Sequence, residues 1–129
     1  MPTQGKRSEG DLKRDVFDSA SLWDRIDGDL ELLRDLIAAF EGESPVLLEQ
    51  IELAIRRGAA VEVRKASHKI KGSVLQFSAG PAVVASQQLE EMGDTGSLSG
   101  AEEALTRLRH EIDALMEALH AMVLEKAAQ

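Results

Sequence analysis

The sequence contains no cysteine, only three prolines, one tryptophan and three phenylalanines in 129 residues. Without thiols there are no disulfides, thiolate metal ligands or cysteine nucleophiles, and the usage fits a reducing, cytoplasmic setting. Phe17, Trp23, Phe40 and Phe77 are too few and too scattered to make a stacking platform for bases. Positive charge is also short. Fifteen Lys and Arg stand against 23 Asp and Glu, a net charge of −8, which argues against counterion-release binding to nucleic acid. No apolar run approaches the ~18–20 residues of a bilayer span. Residues Met1 to Asp11 lack the apolar stretch of a secretion signal. Neither membrane insertion nor export is expected.

What is present is an ordinary globular composition, 43% hydrophobic and 29% charged, at a length that fits one domain. Met1 to Asp11 reads as a disordered tail and residues 12–126 as the domain. Asp18 is an N-cap candidate for a short first helix that Gly28 ends. Leu30, Leu33, Ile37 and Phe40, at spacings 3, 4 and 3, mark one face of a helix that Gly42 closes. Ser44 followed by Pro45 predicts a new helix start, with Leu48, Ile51 and Ile55 inward and Gly58 as its stop. A helix from Ala60 to Ser78 buries Val63, Ala66, Ile70, Val74 and Phe77. Pro81 opens another, with Ala82, Ala85, Leu89 and Met92 inward and Gly93 at its end. The last carries a regular seam of Leu105, Leu108, Ile112, Leu115, Leu119 and Met122. Single apolar stripes joined by short loops predict an all-α, antiparallel up-down four-helix bundle with a short extra helix at the N-terminus.

Of His68, His110 and His120, the first stands out. At about 100° per residue, His68 points about 160° away from Ile70 and off the core stripe. Arg64, Lys65, Lys71, Gly72 and Leu75 all fall within about 60° of it around the axis. From Arg56 to Lys71, six cations stand against Glu62 alone, a local charge of +5 in a chain whose remainder carries −13. Gly72 costs a helix about 1 kcal/mol relative to alanine, so a bare outer position beside the histidine calls for a reason. Room for an approaching partner supplies one, and Leu75 then serves as an exposed apolar contact. An exposed neutral imidazole flanked by cations suits nucleophilic attack on a phosphoryl group, with Lys71, helped by Arg64 or Lys65, balancing the phosphoryl charge. No acid–base dyad or oxyanion loop is legible nearby, so the site reads as half of an active site.

The run Ala66-Ser67-His68-Lys69-Ile70-Lys71-Gly72-Ser73 resembles the His-x-Leu/Ile-Lys-Gly core of the histidine-containing phosphotransfer (HPt) family. Leu89-Glu90 stands where that family has a Leu-Glu pair, and Asp27-Gly28-Asp29 resembles the turn before its first bundle helix. The likeness runs from about Phe17 to Leu119. It departs at Ser78-Ala79, where the family usually has Gly-Ala. The resemblance implies a phosphorelay intermediate that carries a phosphoryl group on His68. It would exchange that group with the aspartate of a receiver domain, from a response regulator or a hybrid sensor kinase. It implies a phosphocarrier, expected to be monomeric, with no kinase activity of its own. It implies no cofactor or metal held by this chain, Mg²⁺ being expected on the receiver. It also implies Glu90 near the histidine and a docking face of Arg64, Lys65, Leu75 and Glu90.

Three rivals compete. A self-sufficient enzyme needs convergent polar groups in a pocket, and none is legible. A sensor-kinase dimerisation domain would be followed by an ATP-binding domain. A carboxylate-bridged metal bundle would use the Glu117–His120 spacing, but it needs that motif twice. The remaining alternative is a non-phosphorylated helical scaffold that docks a receiver or kinase.

Overall fold

The computed structural model describes residues 16–129, so the tail expected at 1–11 lies outside the described residues. Five helices follow in order: α1 Ser19–Arg25, α2 Leu30–Arg57, α3 Ala60–Gln76, α4 Gly80–Thr95 and α5 Ala101–Ala127. The last four close a ring in which each packs on its chain neighbours and α5 returns to α2. Cross-helix pairs fix the antiparallel sense. Glu43 meets Ser73, His68 meets Glu90, and Glu52 and Glu41 meet Arg109 and His120. Among the described residues there is no strand.

The largest departure from the sequence pattern is α2. Gly42 and Ser44-Pro45 predict a break, yet one 28-residue helix runs through them. Proline at 45 removes one N–H, which leaves the Glu41 carbonyl without its intrahelical donor at a cost of about 3 kcal/mol. Burial on both sides offsets that cost: Phe40, Ser44, Leu47 and Leu48 are all buried. Ser44 is thus a core residue of a continuous helix rather than a cap. The inward row also shifts, so that Leu47 and Ala54 are buried while Ile55 is only partly covered.

The ends of the helices follow local chemistry. Asp18 and Asp29 cap α1 and α2, each accepting from the amide three residues on, Ser21 and Leu32, at 3.0 Å. Gly58 ends α2 in the left-handed region at φ 68°. Gly93 does not end α4. It lies inside the helix, buried, and the cap is Gly96 at φ 82°. A Cβ at Gly93 would sit 2.5 Å from the Arg64 amide nitrogen and 2.6 Å from the Ala60 carbonyl oxygen. The missing side chain therefore lets the backbones of α3 and α4 touch.

The helix α3 stops at Gln76, two residues short of the sequence expectation, and Ser78 takes φ +55°. Serine stands here where the resemblance expects glycine, and a left-handed residue explains why glycine suits the position. Arg25 holds the turn, donating to Ser78 Oγ at 2.5 Å and to the Gln76 carbonyl at 2.8 Å. This also ties α1 across the end of the bundle. Above it Phe40 and Phe77 meet at 5.4 Å between ring centroids, tilted by 57°, a favourable aromatic geometry.

Candidate functional site

The inner stripe of α3, Val63, Ala66, Ile70 and Val74, is buried against the bundle. Helical phase then turns His68 outward, and its side chain is 66% exposed. His68 Nδ1 lies 2.7 Å from Glu90 Oε2 on α4. Lys71 Nζ approaches the other oxygen of the same carboxylate, Oε1, at 2.6 Å. That contact is an ion pair. One carboxylate thus bridges imidazole and ammonium. The Lys71 ammonium, and after it His68, hold the Glu90 carboxyl below its ordinary range, outweighing the opposite effect of partial burial. Glu90 is therefore a carboxylate at neutral pH, an acceptor only. The ring nitrogen facing it must carry the proton, so in the neutral imidazole the lone pair sits on Nε2, away from Glu90.

The neighbours expected on one face divide into two sides. Lys71 and Arg64 lean toward α4. Lys71 is only 22% exposed on its side chain, and the Arg64 backbone lies against Gly93. Lys65 leans the other way, lining a groove against α2. Gly72 is exposed, and a Cβ built there meets nothing within 4 Å. Leu75, one turn further along, is 53% exposed. Ser67, which faces inward beside His68, is fully buried and its hydroxyl has no partner.

The Hpt domain family profile matches residues 35–118. The chain belongs to the Hpt domain family. Hpt domains carry phosphoryl groups between histidine and aspartate in two-component phosphorelays, and they act with receiver domains of response regulators without kinase activity of their own. The match takes in His68, Lys71, Gly72 and Glu90. It leaves out the Asp27-Gly28-Asp29 turn that the sequence likeness had included. No curated protein and no solved structure matches the chain.

The other histidines stand apart from this cluster in the Hpt bundle. His110 is exposed on α5, and His120 Nε2 lies 2.6 Å from Glu41 Oε2 on the α2–α5 side. Among the described residues, no three metal-ligating side chains converge. Nor is any helix among them long and apolar enough to cross a membrane. Two features escaped the sequence reading. One is that a single glutamate holds both His68 and Lys71; the resemblance placed Glu90 near the histidine but said nothing of the lysine. The other is the backbone contact at Gly93. Its signal was present, since Ala82, Ala85, Leu89 and Gly93 share one face of α4.

Proposed function

We propose that His68 accepts the phosphoryl group through Nε2 and exchanges it with the aspartate of a receiver domain. The observation that carries this reading is the Glu90 bridge. By keeping the proton on Nδ1, Glu90 leaves the outward nitrogen as the nucleophile. In the forward step Nε2 attacks the phosphorus of the receiver's acyl phosphate. The P–N bond forms as the P–O bond breaks, and the aspartate leaves as its carboxylate. The proton stays on Nδ1, so the phosphorylated ring is cationic, and the Glu90 carboxylate stabilises that charge across 2.7 Å. Lys71 lies one turn along and reaches the same locus. It can leave Oε1 for a phosphoryl oxygen, trading one ion pair for another. In this reading the receiver brings its own acidic site and Mg²⁺.

Gly72 and Leu75 complete the half-site as its approach surface. The open position at Gly72 admits a receiver loop beside the imidazole, and Leu75 supplies an apolar contact. The reading as a non-phosphorylated scaffold would keep this surface but has no use for the Glu90 bridge. The test is labelling by a phosphorylated receiver. His68→Gln abolishes labelling with helical content unchanged, whereas His110→Gln and His120→Gln retain it. Gly72→Leu impairs transfer from a receiver far more than labelling by phosphoramidate, which brings no loop to collide. Retained labelling in His68→Gln would overturn the assignment.

A further inference from the structure

A groove of about 310 Å³ runs between α2 and α3, lined by Gln50, Leu53, Arg57, Glu62, Lys65 and Lys69. Lys65 and Lys69 lie about 60° and 100° around the α3 axis from His68, both on the α2 side. The groove therefore begins at the edge of the reactive imidazole. Among the described residues, Arg57, Lys65 and Lys69 have no carboxylate at ion-pairing distance, whereas Arg56, Arg109 and Lys71 each do. Apolar surface is interleaved with the charge. Val46 and Leu53, on the row of α2 that faces this groove, are 55% and 43% exposed. The groove between α2 and α5 has the opposite sign, since Glu41, Glu49, Glu52 and Asp113 line it with Arg109 as the one Lys or Arg among its lining residues. This flank of the histidine is thus net basic, Arg57, Lys65 and Lys69 against Glu62, in a chain that carries −8 overall.

From this asymmetry we infer that the α2–α3 groove is the recognition flank of the phosphotransfer site and takes an acidic, partly apolar ridge of the receiver. The inference rests on the reading of His68 as the phosphoryl acceptor. A partner approaching His68 over Gly72 and Leu75 has more than one rotation about the imidazole open to it. The basic flank favours the rotation that lays acidic side chains over Lys65, Lys69 and Arg57, with an apolar anchor on Leu53. On the opposite flank, toward α4, Lys71 is already paired with Glu90 and offers an acidic ridge less. Charge placed this way raises the rate of productive encounter and selects among receivers by their surface charge, while the chemistry at Nε2 is left alone.

The test uses the full chain and the receiver domain that labels His68 most rapidly. The second-order rate constant for transfer is measured at low and high salt for the wild type and for Arg57→Glu/Lys69→Glu, with phosphoramidate labelling as the parallel reaction. At low salt the double variant loses about tenfold or more in transfer from the receiver. The wild-type rate falls as salt is raised and the variant's does not, because the Debye length shrinks below the groove's dimensions. Phosphoramidate labels both proteins alike. Equal transfer at low salt, or the same salt dependence in both proteins, overturns the inference. So does a matching loss with phosphoramidate, which would mean that the substitutions damage the site itself. If no receiver labels the wild type, the assignment of His68 fails first, and the inference fails with it.

Discussion

Gly72 and Gly93 are both glycines within helices, and the structure gives them opposite roles, so the same substitution should move stability in opposite directions. At Gly72 a methyl group enters open space, with nothing within 4 Å. Alanine there gains the helix propensity that glycine lacks, up to about 1 kcal/mol. At Gly93 the same methyl group meets the Arg64 nitrogen at 2.5 Å, the Ala60 oxygen at 2.6 Å and the Arg64 Cα at 2.9 Å. These are backbone atoms and cannot rotate aside. Restoring ordinary contact requires α3 and α4 to part by roughly 1 Å, which also loosens the packing around it. Overpacking of this kind costs about 1–3 kcal/mol, and the propensity gain offsets about 1 kcal/mol of it. The upper end applies where the backbone is wedged, so Gly93→Ala should lose about 2 kcal/mol net. The two variants then differ by about 3 kcal/mol, or on the order of 10 °C in Tm. Urea unfolding followed by circular dichroism at fixed pH reads the difference directly. If Gly93→Ala proves as stable as Gly72→Ala, the α3–α4 backbone contact is not there, and the way Glu90 is brought to His68 must be reconsidered.

Other expectations follow from the Glu90 bridge and its surroundings. Because the Glu90 carboxyl titrates below its ordinary range in the folded protein, its contribution to stability is complete above that ordinary range. It is lost as pH falls through the lowered value. The stability gap between wild type and Glu90→Gln, measured by urea unfolding at several pH values, should therefore close in acid; a gap that widens there would contradict the ion-pair account. Lys71→Ala should slow transfer and also cost about 1 kcal/mol, more than a solvated lysine would, because it leaves a partly buried carboxylate with one cation fewer. An unchanged unfolding midpoint would count against the bridge. Ser67→Ala should be neutral or stabilising by up to about 1 kcal/mol, since the buried hydroxyl has no partner to lose. A clear loss of stability would mean that the hydroxyl is bonded after all.

Much of the bundle is legible in the sequence because its signals are periodic. The α3 stripe of Val63, Ala66, Ile70 and Val74 and the α5 seam from Leu105 to Met122 are buried as their spacing predicts. The outward direction of His68 follows from the same phase. The misread stretch is the middle of α2. There Gly42 and Pro45 are strong local punctuation, and the burial of Phe40, Leu47 and Leu48 across the break outweighs them. Local propensity carries no information about that tertiary gain. The different fates of Lys71 and Lys65 were hidden for a related reason. They lie about 60° to either side of His68, and only the positions of α4 and α2 reveal that one is captured by a carboxylate while the other lines an open groove. Residue order alone likewise cannot show that Glu90 divides its two oxygens between an imidazole and an ammonium.

If Glu90 holds the proton on Nδ1 of His68, Nε2 is the nitrogen that takes the phosphoryl group. Nitrogen-15 and phosphorus-31 NMR of the phosphorylated, histidine-labelled protein tests it most directly, because a phosphorus–nitrogen coupling identifies the bonded atom. The expected result is one phosphohistidine, at His68, with the coupling to Nε2 and a protonated Nδ1. Coupling to Nδ1, or a phosphoryl group on His110 or His120, would contradict it.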